Sequence, residues 1–106
     1  MTSVSVTVLR REPELKMQVS GELDLATEPT IVTAVVQAMA DNTDLSVVDL
    51  DVSEVEFIDS CGVRALLHCR DVAATSGRRL KVTDVGGPVT RLLELLGIDD
   101  CLPLTH

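Results

Sequence analysis

Aromatic residues are almost absent from this chain of 106 residues, which has one phenylalanine, Phe57, and neither tryptophan nor tyrosine. Without aromatic side chains, a platform that stacks nucleic-acid bases is excluded. Positive charge is also scarce, because 9 Lys and Arg residues stand against 17 Asp and Glu residues, for a net charge of −8. A chain this acidic does not bind nucleic acid by neutralising phosphates, and an anionic membrane surface would repel it.

Long apolar runs are missing too, which predicts that no helix of this chain spans a membrane. The N-terminal stretch lacks the apolar segment of a signal peptide. The three cysteines, Cys61, Cys69 and Cys101, form no C-x-x-C pair, and their number is odd. We therefore expect reduced thiols without a native disulfide, and a cytoplasmic protein.

The motifs of common enzyme sites are missing as well. The sequence has neither of the usual glycine-rich phosphate-binding loops, nor a G-x-S-x-G nucleophile elbow. His68 lies in a predicted helix and His106 ends the sequence, and neither stands at metal-ligand spacing with the cysteines. These absences argue against an enzyme, and we expect neither a metal ion nor another cofactor.

The residues that are present begin with two alternating segments. Apolar and polar residues alternate from Val4 to Val8 and again from Leu15 to Val19. This pattern is typical of half-buried strands, and the short polar turn between them predicts a hairpin. A helix then begins with Thr27 as N-cap and Pro29 in the first turn, and ends near Asn42.

Residues 46–52 form the third predicted strand, in which apolar and acidic side chains alternate. Val48, Leu50 and Val52 point to one face, and Asp49 and Asp51 point to the other. A parallel sheet covered on both faces would have a continuous apolar run here. The aspartates therefore indicate either that helices cover one face only or that these residues lie near a strand end.

A helix and another strand follow. Asp59 or Ser60 can cap a helix that ends at Ser76 and Gly77, where glycine fits the left-handed position after a helix. Residues 80–84 then form the fourth predicted strand.

A last helix is predicted from Pro88 to Gly97. Its inward stripe contains Val89, Leu92, Leu93 and Leu96. Leu95 lies off that stripe, so we expect it to be partly exposed or to lie at a contact. Residues 101–104 can add a short fifth strand.

The resulting order, ββαβαβα(β), predicts an α/β domain over residues 1–106. Alternation of strands and helices implies right-handed crossovers in a mostly parallel sheet. We expect a mixed sheet of four to five strands, with the N-terminal hairpin at its antiparallel edge and three main helices packed mainly on one face.

Ser60 stands where a strand leads into a helix, and this is the most informative position in the chain. Unpaired backbone N–H groups and a partial positive charge at a helix N-terminus would stabilise a phosphate on that hydroxyl. Gly62 would leave room for a partner's backbone to approach Ser60. The simpler interpretation is that Asp59 and Ser60 only cap the helix.

Two segments of the chain resemble the signatures of the STAS domain. One is Ile58-Asp59-Ser60-Cys61-Gly62-Val63, preceded by the strand from Val48, and the other is Gly21-Glu22-Leu23-Asp24. Residues 3 to 104 as a whole are similar to stand-alone anti-sigma factor antagonists of bacteria. The resemblance thus implies the STAS fold over this range.

The resemblance also implies a function that depends on partner proteins. The unphosphorylated antagonist would bind an anti-sigma factor, which is a serine kinase with an ATPase fold, and would release the sigma factor. That kinase would phosphorylate Ser60, and a PP2C-type phosphatase would restore it. We expect a monomer or weak dimer. The expected partner-binding residues are Asp24, Asp59, Ser60, Cys61, Gly62 and Arg64.

Cys61 and Arg64 depart from the family pattern, since many relatives have another small residue, often serine, at the first position and a small residue at the second. Cys61 is small enough to leave Ser60 as acceptor, whereas Arg64 can alter the choice of partner. Charge is also uneven along the sequence, with seven acidic and no basic residues between Asp41 and Asp59. An acidic rim around Ser60 could dock on a basic kinase surface.

Two other functions stay open at this point. One is a STAS subunit of a lipid-transport complex or a stressosome-type scaffold, acting as a protein-interaction module. The other is a small enzyme or nucleotide-binding domain, which the missing phosphate loop disfavours.

Overall fold

The computed structural model describes residues 3–83, 87–97 and 104–105. Over these residues the chain alternates between strands and helices in the order that the sequence predicts. The elements are β1 (Val4–Arg10), β2 (Leu15–Leu23), α1 (Glu28–Asp41), β3 (Val47–Ile58), α2 (Ser60–Thr75), β4 (Arg79–Thr83), α3 (Pro88–Leu96) and β5 (Leu104–Thr105).

The strands form one mixed sheet in the order β1-β2-β3-β4-β5. β1 is antiparallel to β2, and every other neighbouring pair is parallel. This confirms the predicted hairpin at the antiparallel edge of a mostly parallel sheet. Because β2 and β3 are parallel neighbours, the loops that follow them emerge at the same end of the sheet.

The core lies between one face of the sheet and the two longer helices. Apolar residues of β2 and β3 alternate with polar ones, so one face of each strand carries a buried row. α1 and α2 contact each other, and both contact the sheet. None of the described helices is long and apolar enough to cross a membrane.

The other face of these strands carries a polar row across three neighbours. Lys16, Asp49 and Lys81 are register partners on β2, β3 and β4. Asp49 is buried, and it accepts a hydrogen bond from the Thr83 hydroxyl at 2.7 Å. The Lys81 ammonium pairs with Glu14 at 2.9 Å. Buried polar groups need such partners, and this row explains how aspartates are accommodated within β3.

Two predictions about these elements are wrong. β3 runs to Ile58 rather than ending at residue 52, because β2 continues beside it through two register shifts and still pairs Leu23 with Ile58. In α3 the buried residues are Val89, Thr90 and Leu93, and Leu96 is 48% exposed because this stripe ends before the last turn.

The exposure of Leu95 is confirmed, since 81% of its surface is accessible. The fourth strand ends at Thr83, and the predicted last residue of that strand, Asp84, lies outside the described residues. The short fifth strand is present at Leu104–Thr105. Positions 101–103 of the predicted strand also lie outside the described residues.

Candidate functional site

The candidate site lies where β2 and β3 end side by side. Leu23 and Ile58 are register partners, and the Asp59 amide donates to the Leu23 carbonyl oxygen at 3.2 Å. Asp24 directly follows β2, and Ser60 begins α2, the helix that follows β3. The structure therefore brings the Gly-Glu-Leu-Asp segment and the Asp-Ser segment together, although Asp24 and Ser60 are 36 positions apart in the sequence.

A set of local hydrogen bonds fixes the loop between β2 and α1. The Thr27 amide donates to Asp24 Oδ1 at 3.1 Å, and the Asp24 amide donates to the Thr27 hydroxyl at 3.0 Å. The same hydroxyl donates to the Glu22 carbonyl oxygen at 2.7 Å. Thr27 thus stands at the predicted N-cap position, but its side chain holds the preceding loop instead of capping α1.

Asp59 caps the helix that carries Ser60. Its Oδ1 accepts from the backbone amides of Cys61 at 2.9 Å and Gly62 at 3.1 Å. Ser60 is the first residue of α2 and is exposed, and its hydroxyl has no hydrogen-bond partner among the described residues. Since Asp59 performs the capping, the simpler interpretation of Ser60 as a cap does not apply to its side chain.

Packing within the chain explains why residue 62 is glycine, whereas we expected this glycine to leave space for a partner. The residue is buried, and a Cβ atom added to it would collide with the Leu23 carbonyl oxygen. That Cβ would also lie 2.7 Å from Leu23 Cβ and 2.8 Å from Ile58 Cγ1. Glycine is required so that the first turn of α2 can lie against the ends of β2 and β3.

Arg64 and Glu28 connect the N-terminal parts of the two long helices. Arg64 Nε lies 2.9 Å from Glu28 Oε2, and Nη2 lies 3.3 Å from Oε1, so the pair is bidentate. The hydrogen bond with Glu28 raises the pKa of the exposed Arg64 guanidinium. The sequence indicated Arg64 but not Glu28, whose only signal was an acidic residue in the first turn of a predicted helix.

The predicted acidic rim is smaller than the sequence indicated. Asp41 and Asp44 precede β3 and lie at the opposite end of that strand from Ser60, while Asp49 is buried beside Thr83. Exposed Glu54 and Glu56 remain on the part of β3 nearest the site. The acidic residues that are close in sequence are therefore only partly close in space, because the two ends of a strand lie far apart.

Two exposed apolar side chains flank the site, and neither is among the partner-binding residues expected from the sequence. Leu25, in the loop after β2, is 66% exposed, and Phe57, next to the end of β3, is 49% exposed. The signal available was that the only aromatic residue stands three positions before Ser60. Because both lie at the end of the sheet that carries Ser60, they are candidates for contact with a partner that binds there.

The described part of the chain contains no group of three or more His, Cys, Asp or Glu side chains that could hold a metal ion. What the site offers chemically is one accessible hydroxyl at a capped helix N-terminus. Such a hydroxyl can accept a phosphoryl group. Because Asp59 already accepts from the Cys61 and Gly62 amides, the partial positive charge of the helix N-terminus, rather than these amides, favours negative charge there.

The family is shown by a match over nearly the whole chain. A model described as "Mlab, STAS domain" matches residues 6–105. The anti-sigma-F factor antagonist RsfB of Mycobacterium tuberculosis is 36% identical over 102 residues, which cover 92% of this chain and 77% of RsfB.

Solved structures have the same fold. An anti-sigma factor antagonist from Mycobacterium paratuberculosis superposes with a TM-score of 0.80 at 27% identity, covering 96% of this chain and 85% of that one. The unphosphorylated form of the Bacillus protein SpoIIAA superposes with a TM-score of 0.71 at 16% identity, covering 98% of this chain and 89% of that one. Its phosphorylated form superposes with a TM-score of 0.66 at 15% identity, covering 98% of this chain and 92% of that one. The chain belongs to the family of STAS-domain anti-sigma factor antagonists.

Proposed function

We propose that this protein is an anti-sigma factor antagonist whose binding is controlled by phosphorylation of Ser60. In its unphosphorylated form it binds an anti-sigma factor and thereby releases the sigma factor. The similarity to RsfB supports the class of partner. The observation that carries the proposal is an exposed Ser60 hydroxyl, without a hydrogen-bond partner among the described residues, at the start of α2.

The modification that we propose is a phosphoryl transfer from ATP. The Ser60 oxygen bonds to the γ-phosphorus, the bond from that phosphorus to the ADP oxygen breaks, and the hydroxyl proton passes to a base on the kinase. The kinase is the anti-sigma factor itself, with an ATPase fold. A PP2C-type phosphatase uses water to return serine and inorganic phosphate. The protein is thus a binding protein and a substrate, not itself an enzyme, and acts in the bacterial cytoplasm.

Phosphate would change the surface without unfolding the protein. It adds a charge of about −1.5 to −2 near neutral pH, and a helix N-terminus tolerates negative charge. Asp24 and Asp59 already lie at this end of the sheet. A partner that fits a neutral hydroxyl would have to take the charged phosphate out of water, which costs several kcal/mol as an order of magnitude.

The contact surface that we propose combines acidic and apolar groups. Asp24, Asp59 and Cys61 lie around Ser60, and exposed Leu25 and Phe57 supply apolar area. This composition suits a partner with a basic surface that includes an apolar depression.

The proposal predicts opposite effects of two substitutions at Ser60. Ser60→Ala keeps binding the anti-sigma factor and cannot be phosphorylated by it, whereas Ser60→Glu folds normally but binds at least about tenfold more weakly because of its fixed charge. Binding is measured by isothermal calorimetry against candidate anti-sigma factors, and phosphorylation by intact mass after incubation with ATP.

Ser46→Glu is the matched control, because Ser46 is exposed directly before β3, at the opposite end of that strand from Ser60, and gains the same charge. It should bind like the wild type. Equal binding of Ser60→Glu and wild type, or equal phosphorylation of Ser60→Ala and wild type, would show that Ser60 is not the switch.

A further inference from the structure

Arg64 has a partner that it can exchange. Its bidentate pair with Glu28 is exposed, since 62% of the Arg64 side chain and 24% of the Glu28 side chain are accessible. Solvent-exposed ion pairs contribute little to stability, because water and salt screen them. A stronger anion within reach would therefore take the guanidinium from Glu28.

Ser60 stands one helical turn before Arg64. Side chains at positions i and i+4 of a helix lie on the same face, about 5–6 Å apart at their Cβ atoms. Long side chains also lean towards the helix N-terminus, which here is the end that carries Ser60. Both residues are exposed, so a group on the Ser60 oxygen would lie beside the Arg64 side chain.

We propose that Arg64 binds the phosphate of phosphorylated Ser60 and leaves Glu28 to do so. This inference rests on the proposed function, because it presupposes a phosphate on Ser60. A phosphate offers three acceptor oxygens and more charge than one carboxylate, and guanidinium groups bind it in a bidentate manner. A contact between positions 60 and 64 of one helix also requires less ordering of the side chains than the contact of Arg64 with Glu28 on another helix.

Through this exchange of partners, phosphorylation of Ser60 would also affect Glu28 on α1. Glu28 begins α1, directly after the loop that Asp24 and Thr27 hold. Once Arg64 has moved, the Glu28 carboxylate loses its cation, and the N-terminal parts of α1 and α2 lose the ion pair between them. A binding partner would then meet an added phosphate and also a newly unpaired carboxylate on the neighbouring helix.

The test uses protein in which phosphoserine is incorporated genetically at position 60, so that no kinase is needed. The Arg64 Nε–H resonance is recorded by NMR with and without the phosphate, and it should shift as its acceptor changes from carboxylate to phosphate. Arg70 is the internal control, because it pairs with Asp71 and lies ten residues after Ser60 along α2, about 15 Å by helical rise. Its resonance should stay in place.

Two variants of the phosphorylated protein give a second readout. A phosphorus NMR titration should show the second phosphate pKa about 0.5 higher in Arg64→Gln than in wild type, because a nearby cation favours the dianion. Arg70→Gln should titrate like wild type. Asp24 and Asp59 are unchanged in wild type and in both variants, so a difference in titration comes from the substituted arginine. Circular dichroism checks that both variants remain folded.

An Arg64 resonance that does not move on phosphorylation, or an Arg64→Gln titration equal to wild type, would overturn this inference. A failure of the anti-sigma factor to modify Ser60 is a separate result. It would count against the proposed function, while the NMR data on the chemically defined phosphoprotein would still decide whether Arg64 binds the phosphate.

Discussion

Gly62 and Gly77 belong to the beginning and the end of α2, and they are glycine for different physical reasons. Gly62 is buried, where a side chain would strike the ends of β2 and β3. Gly77 has a φ of +75°, and a Cβ there would meet nothing within 4 Å. The sequence predicted the left-handed conformation of the second glycine, whereas the close approach at the first became visible only in three dimensions.

Gly62→Ala should therefore destabilise the protein by about 3 kcal/mol or more, because both a carbonyl oxygen and two carbon atoms must move to admit a methyl group. Gly77→Ala is the matched control and should cost only about 1–2 kcal/mol, the strain of a left-handed alanine. Urea unfolding followed by circular dichroism measures both. Equal losses would show that the first turn of α2 can shift away from Leu23.

α3 shows how a short helix is placed by few contacts. It packs against β3 through Val89, Thr90 and Leu93, while Leu95 and Leu96 are exposed. A run of four leucines in nine residues does not reveal from the sequence how wide the buried stripe is. The register of the helix on the sheet decides it, and that register leaves the last turn in solvent.

Two leucines on this helix give a matched pair of substitutions. Leu93→Ala should lower the free energy of unfolding by about 2–5 kcal/mol, because it removes a fully buried side chain and leaves a cavity. Leu95→Ala, at 81% exposure, should change it by no more than about 0.5 kcal/mol. Denaturant midpoints at constant m-value test this, and a large loss for Leu95→Ala would indicate that the residue is covered in solution.

The core as a whole joins α1, α2 and the sheet, and Cys69 lies within it. Cys61 and Cys69 are free thiols, as predicted, and Cys101 lies outside the described residues. Burial raises the pKa of the Cys69 thiol to about 12, because the thiolate would have to form away from water. The folded chain therefore resists an ionisation that the unfolded chain undergoes near pH 8.5.

Folding stability should consequently fall as the pH rises above about 8.5. The folded pKa is raised, so the contribution of Cys69 is fully present below the unfolded pKa and is lost as pH rises towards 12. Between pH 8 and pH 10 the loss should be about 2 kcal/mol. Cys69→Ala, although less stable overall, should lack this part of the decline, whereas Cys61→Ala should keep it. Identical pH profiles for all three proteins in urea unfolding would contradict the prediction.

Much of the fold could be predicted because it depends on local pattern. The alternation in β1 and β2, a cap at Asp59 or Ser60 and the left-handed Gly77 are each specified within a few residues. The structure confirms them and selects Asp59 as the cap. The end of β3 could not be predicted in this way. It depends on β2 continuing beside it as far as Leu23, a pairing between segments far apart in the chain.

The candidate site likewise has features that the sequence predicts and features that depend on tertiary contacts. The sequence established the family motifs around Ser60 and the acidic, aromatic-poor character of the chain, since these depend only on residue identity and spacing. The tertiary structure decided that Gly62 packs inward and that Glu28 binds Arg64. Such contacts join residues that only the packing of helices on a sheet brings together, and no local pattern encodes the distance between them.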